Sequence, residues 1–367
     1  MKIGIITYQR SHNYGAVLQA YALLSTLKKN GHDVEIVDYW PHYRDGMYDN
    51  LKYKFLPNDI SVIDKTKTIV TDFLSYERRI RRSKKFENFI KSRLKLTGDT
   101  IKNGVDIVDK FDLIIYGSDQ IWRYNNYNLF KGFDPVYWGK FPINCPKKIT
   151  YAASMGVMDI DDSKLTFVKE NLSNFDNISV RESSLKDLIQ PLTDKKIDQV
   201  LDPVFLLSKN EWNELTFKSK INRKYVLFYN LLSSKEGTLM ADTIALKLGC
   251  KVIEISGNIQ PLKYSNRFQQ TTGPKEYVNL FKNAEFIVST SFHGVAFSIV
   301  FDKQFYALGM GKNSSRVQSL LDKLKISNRL VEKTSEINLD SKINYISVNE
   351  ILNREIENSF KFLNNNL

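Results

Sequence analysis

An unbroken apolar run, KIGIIT at residues 2–7, leads through a helical stretch into a second strand-like run, DVEIVDYW. Short apolar runs of this kind suit strands buried on both faces, as parallel strands are. Between them, the helix expected from Tyr14 to about Asn30 sets Val17, Ala20, Tyr21, Leu24 and Leu27 on one face, and Gly31 ends it. A strand–helix–strand unit of this type implies a right-handed crossover and a doubly wound sheet. The alternation continues through FDLIIYG, KITYAAS and ISVR with helix ESSLKDLIQ, and this half closes at QVLDPVFLL. It restarts at KYVLFYNLL, followed by a helix over 235–248, KVIEIS, helix PKEYVNLFKN, EFIVST and QFYAL. Residues 41–75 read as irregular, and a helix follows from Tyr76. A last helix, VNEILNREIENSFKFL, carries Ile351, Leu352, Ile356, Phe360 and Leu363 at helical spacing.

A chain of 367 residues exceeds the size at which one core keeps growing, so two successive α/β halves imply two domains. The expected architecture is α/β, with two Rossmann-like domains facing across a cleft. The expected boundaries are 1–205, 206–340 and a C-terminal helix over 341–367 packing back on the first domain. An excess of 53 basic over 41 acidic residues favours anionic partners. Cys145 and Cys250 are far apart and fit no metal-type spacing, which suits a reducing compartment. The first residues enter a strand without the pattern of a signal peptide, and no apolar stretch is long enough to span a bilayer. The expected location is cytoplasmic, with contact at the membrane's cytoplasmic face left open.

In open α/β sheets, ligands bind beyond the carboxyl ends of the strands, so the residues there carry the functional reading. After the first strand, Asn13 can cap the helix, beside Tyr14, and Gly15 lets a group approach its first turn. No G-x-G-x-x-G is present, so a dinucleotide is not indicated. After FDLIIYG come Ser118, Asp119 and Gln120, then Trp122. They read equally as a capped turn, or as sugar-hydroxyl partners beside a flat apolar ring. Arg181 at the end of ISV can pair with Glu182 or meet an anionic ligand. Ser314 and Ser315 open a helix with Arg316 in its first turn, where the helix dipole disfavours a cation unless an anion sits there. His293 stands between strand EFIVST and an apolar helix from Val295, next to Ser291 and Gly294. It is either a capping or core histidine, or a group that faces the cleft.

The helix over 78–95 has nine Lys or Arg against Glu87, with Ile80, Phe86, Phe89, Ile90 and Leu94 as its apolar stripe. A solvated face over a core stripe accounts for it, and an acidic membrane surface is the other reading. It lacks a nucleic-acid motif, so no nucleic acid is expected as partner. DIDDS at 159–163 resembles the D-x-D of metal-dependent glycosyltransferases, but helix capping explains it and no metal site is expected.

Eight stretches in order resemble the polysaccharide pyruvyl transferase family: NYGAVLQAYAL, GSDQIW, YAASMG, SVRE, LDPVFLL, TSFHGVAFSIVF, SSRVQSLL and INYISVNEILNREIENSFKFL. The resemblance implies a fold like the two-domain GT-B glycosyltransferases, with the N-terminal domain on the acceptor side and the C-terminal domain on the donor side. It implies transfer from phosphoenolpyruvate to two hydroxyls of a sugar, in a polysaccharide or a lipid-linked precursor, giving a pyruvate ketal and phosphate. No cofactor is implied. Family donor-binding positions map onto His293, Arg181 and Arg316, with Ser291, Gly294 and Ser315 beside them; Ser291 stands where relatives can carry Arg. For this chemistry His293 is the candidate for proton transfer or phosphate contact, and Asp119 for the acceptor hydroxyl. Asn13, Tyr14, Gly15, Ser118, Gln120 and Trp122 are the acceptor candidates. Two alternatives are a GT-B-type glycosyltransferase with a nucleotide-sugar donor, and a non-enzymatic module binding anionic surfaces.

Overall fold

The computed structural model describes residues 1–56, 60–104, 110–127, 129–140, 145–156, 160–219, 221–309, 311 and 314–367. In the N-terminal half these form β1 (Lys2–Ile6), α1 (Tyr14–Lys29), β2 (Asp33–Ile36), α2 (Val62–Arg93) and β3 (Leu113–Tyr116). There follow β4 (Asn125–Tyr127), β5 (Phe130–Gly132), β6 (Lys148–Thr150), α3 (Asp162–Leu172), β7 (Ile178–Val180), α4 (Ser183–Ile189) and β8 (Ile197–Gln199). The parallel order is β2-β1-β3-β6, with β4 and β5 as a separate antiparallel pair. Strands β7 and β8 pair in parallel and join β6 only through isolated bridges, Ile149–Asn177 and Ala153–Val180. Hydroxyls replace part of the ladder there: the Ser179 amide donates to Thr150 Oγ1 (2.8 Å), and the Ala152 amide to Ser179 Oγ (3.2 Å). The sheet therefore continues without its regular backbone pairing.

After α5 (Lys209–Asn213), the C-terminal half comprises β9 (Tyr225–Asn230), α6 (Lys235–Lys247), β10 (Lys251–Ser256), α7 (Pro274–Asn283) and β11 (Phe286–Ser289). It continues with α8 (Phe292–Val300), β12 (Phe305–Leu308), α9 (Ser315–Lys323) and β13 (Leu330–Val331). Its sheet is parallel throughout, in the order β10-β9-β11-β12-β13. Every residue of β3 and β9 is buried, as strands covered on both faces must be. The fold is α/β with two parallel sheets whose halves face each other across a cleft.

The halves are packed firmly together. Tyr14 of α1 stacks on Tyr277 of α7 (centroids 4.5 Å apart, 17°) and donates to the Thr272 carbonyl (2.9 Å). One apolar core runs through Val17, Leu24, Tyr277, Phe297 and Leu363 without a break at the boundary. The last helix, α10 (Tyr345–Asn366), spans both halves. Near its start Asn349 donates to Asp302, and near its end Ser359 Oγ accepts from the Leu201 amide.

Two helices start earlier than the sequence reading has them. The segment expected to be irregular up to residue 75 is helical from Val62, with Ser61 Oγ capping the Asp64 amide. Its apolar residues escaped a helical reading because they do not face the core. Helix α8 starts at Phe292 rather than Val295, which puts His293 inside its first turn.

Candidate active site

The cleft between the halves encloses about 450 Å³ beyond the carboxyl ends of both sheets. From the N-terminal half, β1 delivers Tyr8 and Asn13, and β3 delivers Asp119 and Gln120. From the C-terminal half, β11 delivers Ser291 and His293, and the start of α9 delivers Arg316. Asn13 caps α1 by accepting from the Gly15 and Ala16 amides (2.9 and 3.4 Å). Asp119 sits in the left-handed region (φ 76°), where a non-glycine residue is uncommon, and its Oδ1 accepts from the Gln120 amide (2.8 Å).

His293 lies 3.5 Å through Nε2 from Asp202 Oδ2 and is almost fully buried; its Nε2 makes no hydrogen bond. On its other side the ring rests against Gly15, where a Cβ would collide with the imidazole. Asp202 also receives the Arg181 guanidinium (2.5 Å). Burial alone would raise the Asp202 carboxyl, but His293, Arg181 and the Val204 amide outweigh it and hold the group below the usual carboxylate range. Arg181 is thus a buried partner of Asp202 and Glu182, with its guanidinium 4.4 Å from the Phe292 ring centroid, and it does not line the cleft.

Arg316 does line it. Burial, reinforced by nearby Arg181, brings the Arg316 guanidinium down to about 10, still protonated at neutral pH. With its amide oxygen turned toward Arg316, Gln120 accepts from both Nη atoms at 2.6 and 2.7 Å. Nε of Arg316 has no hydrogen-bond partner, nor has the adjacent Ser315 Oγ. Ser291 caps α8 without a side-chain bond to the helix, so the amides of its first turn stay available to an anion.

Besides Arg181, four expected site residues are placed elsewhere. Trp122 is fully buried: it stacks on Trp138 (4.5 Å, 11°) and donates to the Tyr137 carbonyl (3.0 Å), so it offers no surface to a sugar. Ser118 points into the core, where its hydroxyl donates to the Ala152 carbonyl (2.8 Å). Tyr14 belongs to the contact between the halves. Gly294 makes room for the sheet and not for a ligand, since a Cβ there would strike Ser289 Oγ and approach the Tyr229 ring to 3.0 Å. In the DIDDS stretch, Asp161 caps α3 by accepting from the Lys164 amide (3.0 Å), and Asp159 lies outside the described residues. Among the described residues, no group of three or more His, Cys, Asp or Glu side chains could hold a metal ion.

The cleft also contains cations that the sequence reading passed over, Arg44 and Arg123. Arg44 is buried, its guanidinium 4.0 Å from the Tyr8 ring centroid, and its Nε has no hydrogen-bond partner. Its one signal was the aromatic density around it: Tyr39, Trp40, Tyr43 and Tyr48 surround Arg44 in a stretch otherwise lacking a motif. No helix among the described residues is long and apolar enough to cross a membrane.

The molecule is thus a two-sheet α/β protein with Arg44, Arg123 and Arg316 lining the cleft between its halves. The chain belongs to the polysaccharide pyruvyl transferase family, whose sequence profile matches residues 13–311. No curated protein is significantly similar to it. Among solved structures it is similar to UDP-GlcNAc 2-epimerase from Methanocaldococcus jannaschii in complex with UDP-GlcNAc and UDP (13% identity, 99% of each chain, TM-score 0.47). It is also similar to UDP-GlcNAc 2-epimerase from Neisseria meningitidis (11% identity, 98% of this chain and 100% of that one, TM-score 0.46). A third is the spinosyn forosaminyltransferase SpnP (12% identity, 98% and 95%, TM-score 0.44).

Proposed function

We propose that the protein transfers the pyruvyl carbons of phosphoenolpyruvate onto two hydroxyls of a sugar, forming a cyclic ketal and releasing phosphate. Family membership supports the reaction class, and one observation carries its assignment to the cleft. Arg316 and His293 on the C-terminal side stand across from Asp119 and Asn13 on the N-terminal side of a single cavity. The donor's phosphate and carboxylate need cations and amide donors, which Arg316, Ser291 and the first turn of α8 offer. Arg44 and Arg123 add positive charge toward the acceptor side.

The first acceptor hydroxyl adds to the central carbon of the donor as the terminal methylene takes a proton and becomes a methyl group. The phosphate then leaves with its bridging oxygen. The second hydroxyl attacks the same carbon and releases its proton, closing the ketal. His293 is assigned the proton delivered to the methylene, and Asp119 the proton taken from the attacking hydroxyl. Asn13 and Gln120 are assigned to the acceptor side. Arg181 acts through Asp202, whose carboxylate faces the His293 ring, and is a positioning residue.

The test is incubation with phosphoenolpyruvate and candidate free and lipid-linked glycans, followed by mass spectrometry. The expected product has gained a pyruvyl ketal, with phosphate released in equal amount. Thermal stabilisation by UDP-sugars, with none by phosphoenolpyruvate, would overturn the reading.

A further inference from the structure

The N-terminal part of α2 is built inside out. Val62, Ile63, Ile69, Val70 and Phe73 recur at helical spacing on the exposed face, with Val62, Ile63 and Phe73 81%, 79% and 82% accessible. The face turned to the protein is polar instead: Asp72 and Ser75 are buried there, and Asp72 pairs with Arg79 (2.5 Å). A helix that covers a core has the opposite arrangement. Beside this stripe, the loop carrying exposed Leu262 and Tyr264 is tied to the helix. Arg78 donates to the Pro261 carbonyl (2.7 Å) and lies 4.4 Å from the Tyr264 ring centroid.

Charge extends the same face. Continuing at helical spacing from Phe73, the outer side of α2 carries Arg81, Lys84 and Lys91, all exposed, and exposed Lys65 and Lys67 flank the stripe. Only Glu77 and Glu87 oppose them on this side, and Glu77 is paired with Arg81 (2.5 Å). From this we infer that α2 docks the protein on an anionic lipid bilayer, its apolar residues entering the interface while the basic residues meet the headgroups. A second copy of the chain is the poorer occupant. A twofold contact through this face would bring the basic group Lys65, Lys67, Arg81 and Lys84 of one copy near the same group of the other.

The docking helix also holds a loop that lines the cleft. Arg79 and Ser83, within the same helix, hydrogen-bond Asn50 (3.3 and 3.2 Å), at the end of the loop whose Met47 and Tyr48 line the cleft. A membrane-borne acceptor would then be held near the cleft. That consequence rests on the pyruvyl-transfer reading, whereas the docking itself does not.

Flotation with vesicles tests the docking without donor or acceptor. The full chain should bind vesicles of phosphatidylcholine mixed with phosphatidylglycerol at least tenfold more tightly than phosphatidylcholine alone, and added salt should weaken it. Ile63→Ser with Phe73→Ser should lower binding to the mixed vesicles by roughly tenfold or more. Lys84→Glu with Lys91→Glu should remove the preference for phosphatidylglycerol. All four positions are exposed, so the variants should melt like the parent. Failure of the parent to bind mixed vesicles, or unchanged binding by the Ile63→Ser/Phe73→Ser variant, would overturn the inference. So would a parent dimer that ignores vesicles and dissociates on that substitution, which would give the face to a second copy.

Discussion

Gly15 in the first turn of α1 and His293 in the first turn of α8 meet across the cleft, with the glycine's missing side chain occupied by the imidazole. The N-terminal half thereby fixes one side of the ring, and Asp202 stands 3.5 Å from the other. A residue contributed by one sheet is thus held in place by a helix of the other.

Gly15→Ala should disturb this contact directly. The new methyl group must displace the His293 ring or push α1 from α8, at a cost of about 1–3 kcal/mol for overpacking. Calorimetry should show the loss of stability. Ketal formation should fall further than the unfolded fraction explains, because the ring would leave its position.

Changing His293 itself tests its chemical role. His293→Asn keeps hydrogen-bonding capacity but cannot exchange a proton near neutral pH. If the imidazole delivers the proton to the donor's methylene, turnover should drop by roughly 10²–10⁴-fold in a folded protein. A folded variant with nearly unchanged turnover would leave His293 a structural role alone.

Arg316→Lys should weaken the donor without unfolding the protein. Lysine keeps the charge but loses the planar fork that reaches Gln120 and an anion together. Phosphoenolpyruvate affinity, read by calorimetry or thermal shift, is expected to fall by roughly 10–100-fold, the worth of one or two charged hydrogen bonds. Unchanged affinity would remove Arg316 from the donor site.

Asp202→Asn should act on stability and on its dependence on acid. The native carboxyl is held below its ordinary range, so between about pH 4 and its lower native value the unfolded chain binds the extra proton. Stability from this group is therefore complete above about pH 4 and is lost as the pH falls further. The variant leaves Arg181 without its closest partner, a loss of about 3–5 kcal/mol for a broken buried pair. Its melting temperature should be lower at neutral pH and should decline less steeply below about pH 4. An equally steep decline would assign the acid sensitivity to other carboxylates.

The order of strands and helices was legible because it rests on local periodicity. KIGIIT and KYVLFYNLL declare buried parallel strands through their own composition, and His293 follows from the strand that ends before it. Ser314 and Ser315 likewise announced α9, with Arg316 in its first turn. What periodicity does not carry is the direction of a side chain beyond a strand's end. Trp122 turned inward onto Trp138, and Ser118 turned toward Ala152, although both stand beside Asp119 and Gln120 in sequence. Those choices depend on neighbours that the chain brings back from positions far away.

The same limit explains the remaining surprises. Arg181 was drawn to Asp202, 21 residues downstream, because a buried guanidinium needs an anion and the fold supplied one within reach. Arg44 entered the cleft because a loop with no motif folded over Tyr8. The outward apolar face of α2 hid the helix, since hydrophobic spacing is read as a core pattern and here no core covers it. The sequence alone determined two alternating α/β halves and which polar residues follow each strand, because backbone pairing and apolar periodicity are short-range. Only the tertiary structure decided which of those groups share one cavity, because burial and charge pairing are settled between residues that meet only after both sheets have packed.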